Sequence, residues 1–248
     1  KIQSEYLRLE SDIKNFRYSS AIKPNAKKYF IEVKNLSFQY ENSNKFILDN
    51  ISFSVEQGDI VSLNGTSGSG KSTLIKILLC LYMPQKGNIF FKGESVYKDI
   101  LSWQKKISYV DQNVVLFDES INYNICLGLK EKEINFQRLE EIYDLCEITD
   151  IINDLPEGLN ISLGKDGQKL SGGQKQRIGL ARSLYFDNEI IVLDEATNSL
   201  DKLKQRSILQ KIHSMKNKTI IKISHRTETL EDANKKILIE NGKISLQK

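Results

Sequence analysis

Eight consecutive residues, Gly65-Thr66-Ser67-Gly68-Ser69-Gly70-Lys71-Ser72, constrain this chain more than anything else in its sequence. They fill the pattern G-x-x-x-x-G-K-S without a mismatch, and both flanks are right. Ile60, Val61 and Leu63 before the loop read as a strand, and the apolar stretch from Ser72 to Leu81 after it reads as a helix. Glycines at such a turn let backbone N–H groups face inward as an anion nest. The new helix adds the partial positive charge of its N-terminus. Lys71 can then reach the β- and γ-phosphates of a nucleotide, and the Ser72 hydroxyl can ligate Mg²⁺. A glycine-rich turn carrying an incidental Lys-Ser would not be expected to have both flanks in place.

A second element completes this chemistry. In Ile190-Ile191-Val192-Leu193-Asp194-Glu195 an apolar run delivers carboxylates to the C-terminal end of a buried strand, the edge where open α/β sheets bind ligands. Asp194 can hold Mg²⁺ through its water shell, and Glu195 can orient or deprotonate an attacking water. By itself an Asp-Glu pair after a strand is often only a charge pair at a helix start. Together with the loop it is a specific signal.

The rest of the chain supplies a frame for these two elements. Ile31 and Val33 alternate with polar residues, and Leu36, Phe38 and Tyr40 resume the alternation one residue out of phase. Ile51, Phe53 and Val55 predict another strand, as do Gly87 to Phe91 and Ile107 to Val110. From about Val114 to Leu184 the pattern is mainly helical, with Phe136, Leu139, Ile142, Tyr143 and Cys146 at helical spacing within Ile134 to Cys146. Beyond it, strands at Ile190 to Leu193, Thr219 to Ile223 and Ile237 to Ile239 alternate with a helix near Ser207, and Asn241-Gly242 predicts a two-residue hairpin turn. Alternating strands and helices imply an α/β fold with a parallel-rich sheet covered on both faces, and the helical middle reads as an inserted lobe. Ile2, Tyr6, Leu9, Ile13 and Phe16 form one stripe, so Lys1 to about Tyr18 is expected to be a helix, followed by a linker from Ser19 to Lys28.

Composition removes several classes. A net charge of +4, spread along the chain, is too diffuse to argue for nucleic acid. Cys80, Cys126 and Cys146 are far apart and lack metal-ligand spacing, so they are expected to be buried, reduced thiols of a cytosolic protein. No stretch approaches the roughly 18 apolar residues of a membrane span. The chain begins at Lys1 without a signal-like segment, as expected of a soluble piece of a longer protein.

Leu170-Ser171-Gly172-Gly173-Gln174, followed by Lys175-Gln176-Arg177, resembles the signature motif of the ABC family, which other phosphate-loop ATPases lack. Ser171 and the glycines open a helix running on to Leu184, a second anion site at a helix N-terminus. The resemblance covers about Lys28 to Lys248 and implies a phosphate-loop ATPase core with a mainly parallel sheet, an antiparallel β subdomain and an inserted helical subdomain. It implies that ATP is sandwiched between the loop of one cassette, with Gly65, Thr66, Ser67, Gly68, Ser69, Gly70, Lys71, Ser72 and Thr73, and Ser171, Gly172, Gly173 and Gln174 of a second. Gln112 matches the glutamine that reaches Mg²⁺ and the attacking water. His225 resembles the switch histidine at the γ-phosphate, Ser199-Leu200-Asp201 the loop that crosses the dimer interface, and Tyr40 the aromatic that stacks on adenine.

Three stretches resemble the exporter branch of the family. Leu116 to Ile121 with Asn124-Ile125 is similar to the loop that receives transmembrane coupling helices. Leu155-Pro156-Glu157-Gly158 with Gly164 is similar to the exporter approach to the signature, although Gly164-Lys165-Asp166-Gly167 departs from the usual Gly-Glu-x-Gly. The first 28 residues fit the exit from a fused transmembrane domain. The resemblance therefore implies a cassette on the cytoplasmic face of a membrane, residues 29–248 with a helical subdomain at about 114–184. It would dimerise with a second cassette, with a homodimer favoured because every catalytic position is filled. The competing reading is a soluble ABC ATPase acting on nucleic acid or ribosomes. Such proteins usually carry two cassettes or long inserted coiled coils, and this chain has room for neither.

Overall fold

The out-of-phase alternation near the N-terminus is a pair of β-bulges. In strand β1 (Ile31–Phe38), antiparallel to β2 (Leu48–Val55), the register shifts between Val33 and Leu36 and again between Leu36 and Phe38. Asn35 and Asn50 take positive φ values of 50° and 52°, one on each strand. Each extra residue resets the pleat, so Ile31, Val33, Leu36 and Phe38 all reach the core beside Val55, Phe53, Ile51 and Leu48. On its other edge β1 pairs antiparallel with β4 (Lys86–Phe91), which carries the two-residue β5 (Glu94–Ser95). Tyr40 lies two residues beyond the end of β1.

The computed structural model describes residues 22–25, 28–41, 43–156, 158–215, 217–223 and 232–247. The helix expected from Lys1 to about Tyr18, half of the linker after it, and His225 lie outside the described residues. The chain divides into two compact units, Lys1–Ile107 with His225–Lys248, and Ser108–Ser224.

In the first unit β3 (Ile60–Asn64) runs parallel to β9 (Lys235–Glu240), and β9 turns back into antiparallel β10 (Lys243–Gln247). Asn241 and Gly242 take φ of 49° and 74°, the two positive values that a tight hairpin turn demands. Helix α1 (Lys71–Leu78) follows β3 and buries Leu74, Ile75, Ile77 and Leu78. It stops short of the expected Leu81. Cys80 adopts φ 53°, its N–H bonds to the Ile77 carbonyl (2.9 Å), and the Leu81 N–H reaches back to the Lys76 carbonyl (2.8 Å). That is a Schellman ending built without the glycine that usually marks it. Helix α2 (Ile100–Gln104), five residues capped by Asp99, is too short to leave a periodic trace.

In the second unit β7 (Ile190–Asp194) lies between β6 (Ile107–Val110), which begins at the unit boundary, and β8 (Thr219–Ile223). β7 and β8 are parallel, buried along their whole length, and register Asp194 opposite Ile223. Such strands read as unbroken apolar runs because both faces are covered. Between Val114 and Leu184 the described regular elements are all helical: α3 (Ile121–Ile125), α4 (Phe136–Cys146), α5 (Ile148–Asp154), and α6 (Gly172–Tyr185), with short 3₁₀ turns. Helix α4 begins two residues later than expected because Asn135 caps it, accepting from the Arg138 N–H. Helix α7 (Lys202–His213) stands where the helix near Ser207 is expected. The three cysteines are free and buried, as their spacing suggested. Among the described residues no helix is long and apolar enough to cross a membrane.

Candidate functional site

The loop Gly65–Ser72 belongs to the first unit, and its shape depends on close contact with β9. Gly65 has φ 140°, and a Cβ there would sit 2.2 Å from the Ile239 carbonyl oxygen. Lys71 is buried, and its ammonium donates to the carbonyls of Gly65 and Thr66 at 2.8 and 2.9 Å, which fixes a cation at the loop. Thr66, Ser67, Gly68 and Ser72 are exposed, whereas the Ser69 hydroxyl oxygen is buried without a hydrogen-bond partner.

The start of α1 differs from those of α4, α6 and α7. Those helices are capped by the side chains of Asn135, Ser171 and Asp201. At α1 the N-cap is Gly70, left-handed at φ 106°, with no side-chain cap and no acidic residue in the first turn. The first N–H groups of a helix have no intrahelical acceptor. With Lys71 beside them they form a site that fits a phosphate group. Tyr40 approaches the same helix, its hydroxyl 2.9 Å from Thr73 Oγ1. Its ring packs edge-on against Phe38 and Tyr82, and the residue remains 38% exposed.

The second unit gathers the carboxylates. Asp194 ends β7 and is buried. Glu195 turns out of the strand at φ 53°, held by an N–H bond to the Ile223 carbonyl (3.2 Å). Its Oε2 accepts two side-chain amides, Gln112 Nε2 at 3.0 Å and Asn198 Nδ2 at 2.8 Å. Tyr109, one strand away, donates its hydroxyl to Asp111 (3.2 Å). Burial, with the carboxylates of Asp111 and Asp194 beside it, pushes the Tyr109 phenol above its usual range. Asn198 and Tyr109 do not emerge from sequence reading: one sits in a turn, the other inside a strand, and only folding brings them to the acidic pair. The one sequence hint is that Asn198 follows Glu195 at i+3 in a turn. Among the described residues no three His, Cys, Asp or Glu side chains cluster as a metal cage. Within the second unit, buried Asp194 and exposed Gln112 offer oxygen donors of the kind that suits Mg²⁺, and in the first unit the exposed Ser72 offers another; Mg²⁺ keeps water and takes phosphate oxygens as its remaining ligands.

Ser171 caps α6 through a reciprocal box: its Oγ accepts the Gln174 N–H (3.2 Å) and its own N–H is taken by Gln174 Oε1 (2.8 Å). A hydroxyl that accepts still has its proton to donate. Gly173 lies against the turn after Glu195; a Cβ there would be 3.1 Å from the Ser199 carbonyl oxygen. Gln176 Oε1 accepts the Ser199 N–H (2.9 Å), and Arg177 donates to the Glu147 carbonyl at the end of α4 (2.7 Å). The residues after Gln174 thus anchor the helix on both sides. At Gly164–Gly167 the structure explains the two glycines that keep the family's pattern, and nothing in it explains Lys165 in place of the usual glutamate. Gly164, Asp166 and Gly167 all have positive φ, and a Cβ on Gly167 would be 2.8 Å from Leu116 Cδ1.

A family profile for ABC transporters matches residues 48–198. The chain belongs to the ABC transporter family. Membership carries nucleotide binding with it, and the α/β architecture above is that of the family's cassette. The chain is 36% identical over 245 residues to an ATP-dependent lipid A-core flippase of Pseudoalteromonas translucida, covering 98% of the chain and 42% of that protein. It is 38% identical over 217 residues to the alpha-hemolysin translocation ATP-binding protein of Escherichia coli O157:H7, covering 87% of the chain and 30% of that protein. Among solved structures it resembles a bacterial Atm1-family ABC exporter with ATP bound, with a TM-score of 0.82 and 31% identity over 90% of this chain and 39% of that one. The cassette therefore spans well under half the length of these relatives.

Proposed function

We propose that this chain is the ATP-hydrolysing cassette of an exporter, working with a second cassette to drive export or flipping of a substrate across a membrane. The observation that carries the reading is the start of α1, a helix N-terminus without a side-chain cap beside the buried Lys71 ammonium. Names of similar proteins, a flippase and a translocation ATP-binding protein, favour export over a soluble ATPase acting on nucleic acid or ribosomes.

In this proposal Gly65 to Thr73 hold the triphosphate through backbone N–H groups, and Lys71 neutralises charge on its β- and γ-phosphates. Tyr40 stacks on adenine. Ser72, Gln112 and Asp194 would hold Mg²⁺, which when bound neutralises phosphate charge. Glu195 orients a water with its carboxylate and takes its proton as the water oxygen attacks the γ-phosphorus, and the bond from that phosphorus to the bridging oxygen breaks to release ADP and phosphate. His225, outside the described residues, is given its γ-phosphate contact by family resemblance alone. Ser171 donates its hydroxyl proton, and Gly172, Gly173 and Gln174 line the signature end of α6, toward the nucleotide of the opposite cassette. The family mechanism, rather than any measured arrangement of the two units, supplies their joint action on one nucleotide.

The same reading makes residues 1–28 the tail of a transmembrane domain and residues 29–248 the cassette, with a helical subdomain at about 114–184. The cassette then lies on the cytoplasmic face, in a homodimer. Mixing a Lys71→Ala chain with a Ser171→Arg chain in the full-length protein tests this directly. Each is inactive alone, yet the mixed dimer keeps one intact loop facing one intact signature, so ATP hydrolysis should return. If the parent hydrolyses ATP while the mixture stays inactive, the sites are not shared.

A further inference from the structure

We infer that Asn198 is a positioning residue for Glu195: its side-chain amide, 2.8 Å from Glu195 Oε2, holds the carboxylate in the orientation that hydrolysis uses. The inference rests on the assignment of Glu195 above.

The two amides that meet on Oε2 differ in how firmly they are held. Gln112 comes from the segment after β6 and is exposed, with a long side chain that loses much rotamer freedom to keep one contact. Asn198 is shorter, half-buried, and part of the turn that Glu195 itself begins. That turn is pinned along its length. The Asn198 N–H bonds to the Glu195 carbonyl (3.1 Å) and the Leu200 N–H to the Thr197 carbonyl (3.2 Å). Buried Gln205 donates to Thr197 Oγ1 (2.8 Å). Gln176 accepts the Ser199 N–H, and Gly173 lets α6 pack against the Ser199 carbonyl. The turn's own hydrogen bonds therefore place the Asn198 amide, which is what preorganisation of a reacting group requires.

The proposed function also gives Gln112 a second duty at the metal. A glutamine that turns to other partners ceases to fix Glu195. The bond from Asn198 belongs to Glu195's own turn and persists. Only a donor serves here: an aspartate of the same shape would set a second carboxylate against the first.

The test uses the full-length protein with Asn198→Ala and Asn198→Asp, each also combined with Glu195→Gln. Both single variants should lower kcat about tenfold, the low end of what losing an orienting partner does. KM for ATP, affinity for a fluorescent ATP analogue and Tm should stay at parental values. In the Glu195→Gln background neither substitution should lower the residual rate further. Asn198→Asp keeps the side chain's shape, so it carries the test if the alanine variant unfolds. Parental kcat in Asn198→Asp, with Glu195→Gln inactive, overturns the inference and leaves the assignment of Glu195 standing. An equal loss with and without the Glu195 carboxylate also overturns it, because Asn198 would then act elsewhere. Parental turnover by Glu195→Gln removes the assignment and the inference together.

Discussion

Gly65→Ala should harm this protein far more than Gly68→Ala, and the reason is geometric. An added Cβ at Gly65 would lie 2.2 Å from the Ile239 carbonyl oxygen and 2.6 Å from Ser69 Oγ. Ser69 can rotate away. Ile239 cannot, because it is fully buried in β9 and paired in register with Ile244. The loop must therefore shift away from the sheet. Overpacking of this kind costs about 1–3 kcal/mol, and holding alanine at φ 140° adds roughly 1–3 kcal/mol. A middle value of about 4 kcal/mol corresponds to a drop in Tm of roughly 8–16 °C for a chain of this size. Gly68 has φ 77° and open space around its Cβ position. Its alanine variant carries only the backbone term, about 1 kcal/mol and roughly 2–4 °C. A displaced loop also moves the Gly65 carbonyl that holds the Lys71 ammonium. Affinity for a fluorescent ATP analogue should then fall at least about tenfold, the effect of 1.4 kcal/mol. Thermal unfolding by circular dichroism and titration of the analogue read both effects. Equal Tm values for the two variants would refute the argument that contact with β9 shapes the loop.

Arg182→Ala should destabilise by about 3 kcal/mol, since a charged donor leaves the carbonyls of Asn124 and Val115 and the Asn124 side chain, at 2.8, 2.9 and 3.0 Å. Hydrogen exchange should rise at residues 115–124, and unchanged protection there would contradict the clamp. Burial pushes the Cys80 thiol up to about 12 and also raises Cys126 and Cys146. At pH 8 a thiol reagent should therefore label the native protein slowly and the denatured protein at all three positions; fast native labelling would show that the thiols are exposed. The folded pKa of Cys80 lies above its unfolded value of about 8.5, so the stability linked to it is complete below that pH. It is lost as pH rises toward about 12.

The parts of this molecule that the sequence reveals are those whose chemistry is contiguous. Gly65–Ser72, Asp194-Glu195 and Leu170–Gln174 each sit at the junction of two elements and need their residues in order. β1 and β2 show as alternation and β7 and β8 as unbroken apolar runs, and even the β1 bulge is visible as a slip of one residue near Asn35. What the sequence hides is short or three-dimensional. The five residues of α2 and the two of β5 are below the length at which a period can be recognised. The end of α1 at Cys80 lacks the glycine that would have marked it. The Tyr40–Thr73 contact and the bond from Gln112 to Glu195 join residues far apart in the chain, so no local pattern announces them, and the bond from Asn198 to Glu195 leaves only its i+3 spacing as a hint.

The most direct test of the central claim is ATP binding and hydrolysis by the full-length parent, Lys71→Ala and Glu195→Gln, measured side by side with radiolabelled ATP. The parent should hydrolyse ATP. Lys71→Ala should lose affinity together with turnover, because the cation at the phosphates is gone. Glu195→Gln should retain ATP while kcat falls by about 10²-fold or more, as removal of a general base requires. Tight ATP binding by Lys71→Ala, or parental turnover by Glu195→Gln, would contradict the account.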